Sequence, residues 1–203
     1  MLILGIVVVD VAVVTFTRRI KSMGKLLKHL KTIRTHRKYV RDMCWKMGLF
    51  WQGLFHDLSK YSITELKMCK YWTGKGSPHQ ACREAIGYSP SWIHHYHKNK
   101  HHFQYWWDED EEGKIIPIKM PYKYVIESFC DMVGASKAYN GKAWKEQMVW
   151  DYWVAKCRGK RIMNEISITL LDKLIGNLAV MGEKDFLLWY YTYKKDLKKA
   201  YEM

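Results

Sequence analysis

The stretch "GLFHDLSKYS", Gly53 to Ser62, sets a His directly against an Asp inside an apolar run, with a Lys three residues after the Asp. Leu54, Phe55 and Leu58 suggest burial, and a buried imidazole beside a carboxylate is costly unless something compensates the charge. On the N-terminal side, Leu26, Leu27, Leu30, Ile33, Val40 and Met43 recur at three- and four-residue spacing, which predicts a long helix from Met23 to near Gly48. Leu49 to Leu58 carries a second, shorter helix. Beyond it, Ser62 with Glu65 has the form of a capping box and opens a third helix to about Trp72. Gly74, Gly76 and Pro78 then break the chain.

The pattern continues as helix. Ser89 to Trp107 reads as helical with a kink around Lys98 and Asn99. The acidic run "DEDEEG" and the "KIIPIKMP" after it favour a loop or hairpin near residues 108–121, because Pro117 and Pro121 remove backbone donors. Helices follow over Tyr122 to Tyr139, Ala143 to about Cys157, Asn164 to Met181 and Lys184 to Ala200. The expectation is an all-α chain with one helical domain of seven or eight helices over residues 23–203. Trp106, Trp107, Trp189, Tyr190 and Tyr191 fall in helical runs and are assigned to core packing.

Composition bounds the rest. A chain of 203 residues that is 48% hydrophobic can bury a core of its own. Cys44, Cys69, Cys82, Cys130 and Cys157 are odd in number and form no CxxC pair, which argues against a disulfide framework and for a reducing cytoplasm. The formal charge is +14, and eleven Lys or Arg lie between Arg18 and Lys46. Such a surface attracts nucleic acid, acidic lipid or a phosphorylated small molecule, and charge alone does not choose among them. Residues 1–22 form an apolar extension. Leu2 to Phe16 is shorter than the roughly 20 residues that span a bilayer and carries Asp10, so membrane attachment would be through a weak anchor at residues 2–16 only. The clean amphipathic pattern from Met23 favours a start there, with the first 22 residues as an upstream extension.

The histidines and acids fall in a telling order: His36 in the first helix, His56–Asp57 at the end of the second, the cluster "HHYHKNKHH" from His94 to His102, and Asp131 on the helix after the acidic loop. This order resembles the HD-domain superfamily of metal-dependent phosphohydrolases, and its HD-GYP phosphodiesterases in particular. "HDLSK" looks like that group's His-Asp with a Lys three residues on. His36 then matches the upstream His, His94 or His95 the middle His, His101–His102 the double His, and Asp131 the closing Asp. After the double His the chain departs: "HHFQYWW" stands where a Glu and a Gly-Tyr-Pro triplet would be, so cyclic dinucleotide hydrolysis does not carry over. Residues 23–203 look still more like an uncharacterised bacterial and phage family of short HD-like proteins, some labelled catalase, although no residue argues for haem.

The resemblance implies one or two divalent transition metal ions, Mn, Fe, Zn or Co, since imidazole and carboxylate suit them. His36, His56, Asp57 and Asp131 would hold the first. Asp57 with some of His94, His95, His101 and His102 would hold the second, and on a continuous helix His95 and His102, or His94 and His101, would share a face. Asp57 and Lys60 are the catalytic candidates, Lys60 as a point charge for a phosphate oxygen. Glu127, one turn before Asp131, would orient a ligand. Taken singly, each residue is more often an ordinary helix or surface residue; the ordered set makes the metal hypothesis. Three readings stand: a phosphohydrolase acting on a nucleotide or other small phosphate ester, an HD-type di-iron oxidase or oxygenase, and a non-catalytic basic module binding nucleic acid or a membrane surface.

Overall fold

A computed structural model describes the backbone of residues 2–72 and 77–203 and the side chains of residues 22–72 and 77–203. The expected weak anchor at residues 2–16 and the break at Gly74 and Gly76 concern side chains or positions outside the described residues. The described residues form eight α-helices and one two-stranded sheet, so the chain is all-α. Among them, no helix is long and apolar enough to cross a membrane. Contacts divide the chain into two compact units, residues 1–33 with 60–94, and residues 34–59 with 95–203.

Helix α1 runs Leu2–Lys46 and belongs to both units. In the smaller unit, Ser62 Oγ accepts from the Glu65 amide at 3.3 Å and opens the single turn α3 (Ile63–Leu66), as the capping signal predicts. The helix then tightens to 3-10 over Lys67–Tyr71. The Pro78 break is corrected. Pro78 starts α4 (Pro78–Ile86) because Ser77 caps it through the Gln80 amide at 3.2 Å, and proline costs a helix no hydrogen bond in its first turn. Gly87, at φ 83°, takes the left-handed conformation that ends the helix. Helix α5 (Pro90–Lys98) begins in this unit and ends in the larger one.

The larger unit holds the main core. Val40, Met43 and Cys44 of α1, Val125, Ile126, Phe129 and Val133 of α6 (Tyr122–Asn140), Val149 and Trp153 of α7 (Gln147–Lys156), and Leu174, Ile175 and Leu178 of α8 (Glu165–Glu202) are buried together. The hairpin expected near residues 108–121 is present: β1 (Trp107–Glu109) pairs antiparallel with β2 (Ile115–Pro117), closed by Asp110 Oδ1 accepting from the amides of Glu112 and Lys114. Asn164 caps α8 through the Ile166 amide at 3.1 Å. Gly182, at φ 75° and ψ 163°, breaks α8 internally, where the sequence predicts two separate helices.

Two expectations of burial fail. Tyr191 is 47% exposed, although Tyr190 is buried. Around helix α2 (Phe50–Phe55), Trp51, Phe55 and Leu58 are exposed while Gly53, His56 and Asp57 are buried. The polar pair faces inward and its apolar neighbours face solvent.

Candidate metal centre

Two close helix approaches build the centre. A Cβ on Gly134 would lie 2.4 Å from Val40 Cγ2 and 2.8 Å from the Val40 backbone nitrogen, so α6 meets α1 through a residue with no side chain. His36 stands one turn before Val40 on α1, and Asp131 three residues before Gly134 on α6. The crossing therefore sets them face to face, with His36 Nε2 3.0 Å from Asp131 Oδ1. Likewise, a Cβ on Gly53 would come within 2.9 Å of Cys44 Cβ, which seats α2 on α1. Arg37 then holds the end of α2, donating from Nε to the His56 carbonyl at 2.8 Å and from its terminal nitrogen to the Leu54 carbonyl at 3.1 Å.

The next residue is strained. Asp57 has φ 54°, and it is the non-glycine residue with positive φ among those described. That conformation costs an ordinary L-residue about 1–2 kcal/mol and persists where surrounding structure enforces it, often at functional sites. Here it turns the chain so that two successive side chains, His56 and Asp57, are both buried.

Asp57 lies between two sets of imidazoles. Its Oδ2 is 3.3 Å from His36 Nε2 and 3.3 Å from His56 Nε2, and Asp131 Oδ1 adds contacts of 3.0 and 3.3 Å to the same two nitrogens. Its Oδ1 is 3.3 Å from His95 Nε2 and 3.5 Å from His101 Nε2, with His102 beside them. Within each set, His36, His56, Asp57 and Asp131, or Asp57, His95, His101 and His102, the possible ligand atoms lie within 4.8 Å of one another.

Both sets fit a metal ion. The Nε2 atoms of His36, His56 and His101 are buried and make no hydrogen bond, although carboxylate oxygens lie 3.0 to 3.5 Å away. Contacts of that length without hydrogen-bond alignment match the edges of a tetrahedral coordination shell with bonds of about 2.0–2.1 Å, roughly 3.3–3.4 Å. Imidazole and carboxylate are also the donors that Zn, Fe and Mn accept.

The opposite ring nitrogens are held by the protein. Glu127 Oε1 lies 3.0 Å from His56 Nδ1 and 3.2 Å from His101 Nδ1, so one carboxylate accepts from both rings and directs both Nε2 lone pairs inward. His95 Nδ1 lies 3.2 Å from Ser59 Oγ, which also accepts from Asn99 Nδ2 at 2.8 Å. Asn99 Nδ2 additionally donates to the His95 carbonyl at 2.7 Å and closes α5. The break expected around Lys98 and Asn99 is therefore present, and the shared face that a continuous helix would give His95 and His102 does not apply: α5 stops at Lys98, and the turn that follows brings His101 and His102 back to His95.

The field is that of an acidic pocket lined with imidazoles. Burial alone would lower the His56 pKa, but the Asp57 charge and contacts with Asp131, Asp57 and Glu127 hold it well above the usual value. Burial would raise Asp131, yet His36 and His56 keep it well below the ordinary carboxylate range. Glu127 is lowered in the same way, burial being outweighed by His101 and His56. His102 is pushed down, first by burial and then by His101 and His95.

The structure brings together His36, His56, Asp57, His95, His101, His102, Asp131 and Glu127. His94 and Lys60 belong to the smaller unit. His94 Nδ1 bonds Glu65 Oε1 at 3.0 Å, and Lys60 lies near enough to His29 to help lower its pKa. Sequence reasoning missed Ser59, Asn99 and Arg37, whose contacts depend on turns that periodicity does not encode.

No curated protein and no solved structure matches the chain. A family model matches residues 25–176, a span that takes in every residue of the centre. The chain belongs to DUF5662, a family of unknown function.

Proposed function

We propose that the protein is a metal-dependent phosphohydrolase acting on a small phosphate ester, a nucleotide or another, through a dinuclear centre bridged by Asp57. One observation carries this reading: the two oxygens of a single buried carboxylate face two different groups of imidazoles. The order of these residues along the chain and its likeness to the HD-domain superfamily support it. The charge of +14 is compatible with a phosphorylated substrate without selecting one.

His36, His56, Asp57 and Asp131 would hold one ion, and Asp57, His95, His101 and His102 the other. Bound there, divalent transition ions would supply a Lewis acid that polarises a phosphoryl oxygen. The protein's part is to fix the donors. Glu127 holds the His56 and His101 rings, Ser59 and Asn99 hold His95, and the left-handed turn at Asp57 keeps its carboxylate between the two sets.

The test is metal content per chain by plasma mass spectrometry on the full chain, beside Asp57→Ala, followed by phosphate release from p-nitrophenyl phosphate. The expected result is one or two transition ions and metal-dependent phosphate release, both lost in the variant. Oxygen or peroxide consumption without phosphate release would replace this reading with the oxidase one. No metal in either folded protein, even after reconstitution, would overturn both, and salt-dependent binding to nucleic acid or anionic vesicles would then be measured.

A further inference from the structure

A shallow surface groove of the larger unit is lined by residues that follow the candidate metal centre in the chain and by residues at and beyond the end of α7. Phe103 and Gln104 follow His102 directly and line it with Trp107, and the exposed side chains of Lys156, Lys160 and Arg161 complete the lining with Ile162. Main-chain carbonyls fix two of the cations: Lys160 Nζ donates to the Ala155 carbonyl at 2.6 Å and Arg161 Nε to the Lys156 carbonyl at 3.0 Å. The Arg161 guanidinium also stands 5.6 Å over the Phe103 ring.

The charge here is uncompensated. The neighbouring Arg158 is neutralised by Asp172 at 2.8 Å, whereas among the described residues no carboxylate pairs with Lys156, Lys160 or Arg161. Gln104 Oε1, on the same groove, is buried and accepts no hydrogen bond. Two cations held by carbonyls, with Lys156 beside them and two aromatic rings, form a site for an anion carried on an organic body, with Arg161 suited to grip phosphate oxygens in pairs.

The groove adjoins the centre. Phe103 is the residue after His102, so their Cα atoms are about 3.8 Å apart.

We infer that this groove holds a second phosphate of the substrate, one that is not cleaved, so that the protein acts on compounds bearing at least two phosphate groups. The inference rests on the phosphohydrolase reading and extends it from a phosphate ester to an organic diphosphate or bisphosphate. It assigns recognition to Lys156, Lys160 and Arg161, which have no place among the metal ligands.

The test reads binding without hydrolysis. Isothermal titration calorimetry on the full chain, with no metal added, would compare adenosine 5′-diphosphate, fructose 1,6-bisphosphate and inorganic phosphate. At least one diphosphorylated probe should bind about tenfold or more tighter than inorganic phosphate, the margin of one charge-assisted contact. Lys156→Gln/Arg161→Gln should remove that margin, and Lys195→Gln/Lys199→Gln, which takes the same charge from exposed positions on α8, should keep it. Preference for the adenine compound alone would assign the rings a stacking role; equal binding of both would assign recognition to phosphate. Inorganic phosphate binding as tightly as either probe, or equal weakening by the two double variants, would overturn the subsite. Because no metal or turnover enters the measurement, its failure is separable from failure of the phosphohydrolase reading.

Discussion

Two buried acids, each with an imidazole partner, lie in different units and differ in what surrounds them. Glu65 is 4% exposed and bonded by His94 Nδ1, and the His94 ring remains part-exposed, so this pair lies at the edge of water. Asp57 is 1% exposed and has four imidazole nitrogens within 3.5 Å, three of them on rings whose other nitrogen already has a partner. A His beside an acid therefore does not by itself make a candidate metal site. What sets Asp57 apart is several rings with one nitrogen fixed by the protein and the other directed at a common point.

The largest effect should come from the bridging carboxylate. Asp57→Asn keeps the shape and removes the charge that both sets share, and it should abolish metal binding at both. Glu65→Gln makes the same change in the smaller unit and should leave metal content unaltered. Parallel measurement of ions per chain checks both, and an equal loss in the two variants would dissolve the distinction.

Next is the group behind the ligands. Glu127→Gln leaves every proposed ligand in place, but its amide cannot accept through one oxygen and carry the negative charge that holds both rings. Outer partners of this kind are typically worth about 10–100-fold in metal affinity. Competition against a chelator of known affinity measures the loss, and an unchanged affinity would reduce Glu127 to packing. Helix register placed Glu127 one turn before Asp131, which is why it could be anticipated.

A smaller effect tests the scaffold. Gly134→Ala puts a methyl group into the Val40 backbone, and the helices must separate at the point that opposes His36 to Asp131. Overpacking of this sort costs about 1–3 kcal/mol, which for a chain of this length lowers the melting temperature by roughly 2–4 °C per kcal/mol. Metal affinity should fall along with stability. Stability loss with intact affinity would mean that the crossing holds the fold but does not position the ligands.

The helices were legible because they are local: apolar residues at three- and four-residue spacing mark α1, α6 and α8, and the candidate residues His36, His56–Asp57 and Asp131 could be picked out because their order along the chain does not depend on the fold. The reversal around α2 was not legible. Periodicity assigns Phe55 and Leu58 to the interior, but the left-handed turn at Asp57 exchanges the faces, and no composition rule announces that an Asp takes positive φ. The break expected around Lys98 and Asn99 is present, since α5 ends at Lys98 and Asn99 closes it, so the shared face of a continuous helix does not apply. What spacing does not encode is that the turn folds His101 and His102 back to His95. His94 and His95 could not be separated by sequence, since both are imidazoles and which of two adjacent helical residues meets Asp57 depends on tertiary packing.

The smallest predicted effect returns to the unit without the centre. His29, beside Trp72, has its pKa lowered to about 4, first by burial and then by the Lys60 charge, with Glu65 opposing. The unfolded chain, with an ordinary value near 6.5, therefore binds a proton between about pH 6.5 and 4 that the folded chain refuses. Stability from this group is full above the unfolded value, falls as pH drops through that window, and levels off below about 4, where both states are protonated. The ring is only half-buried, so the slope should be shallow. His29→Gln, which cannot titrate, should flatten the melting temperature against pH between 6.5 and 4. A mutant curve parallel to the parent's would place the acid sensitivity elsewhere and leave His29 as an ordinary half-buried ring.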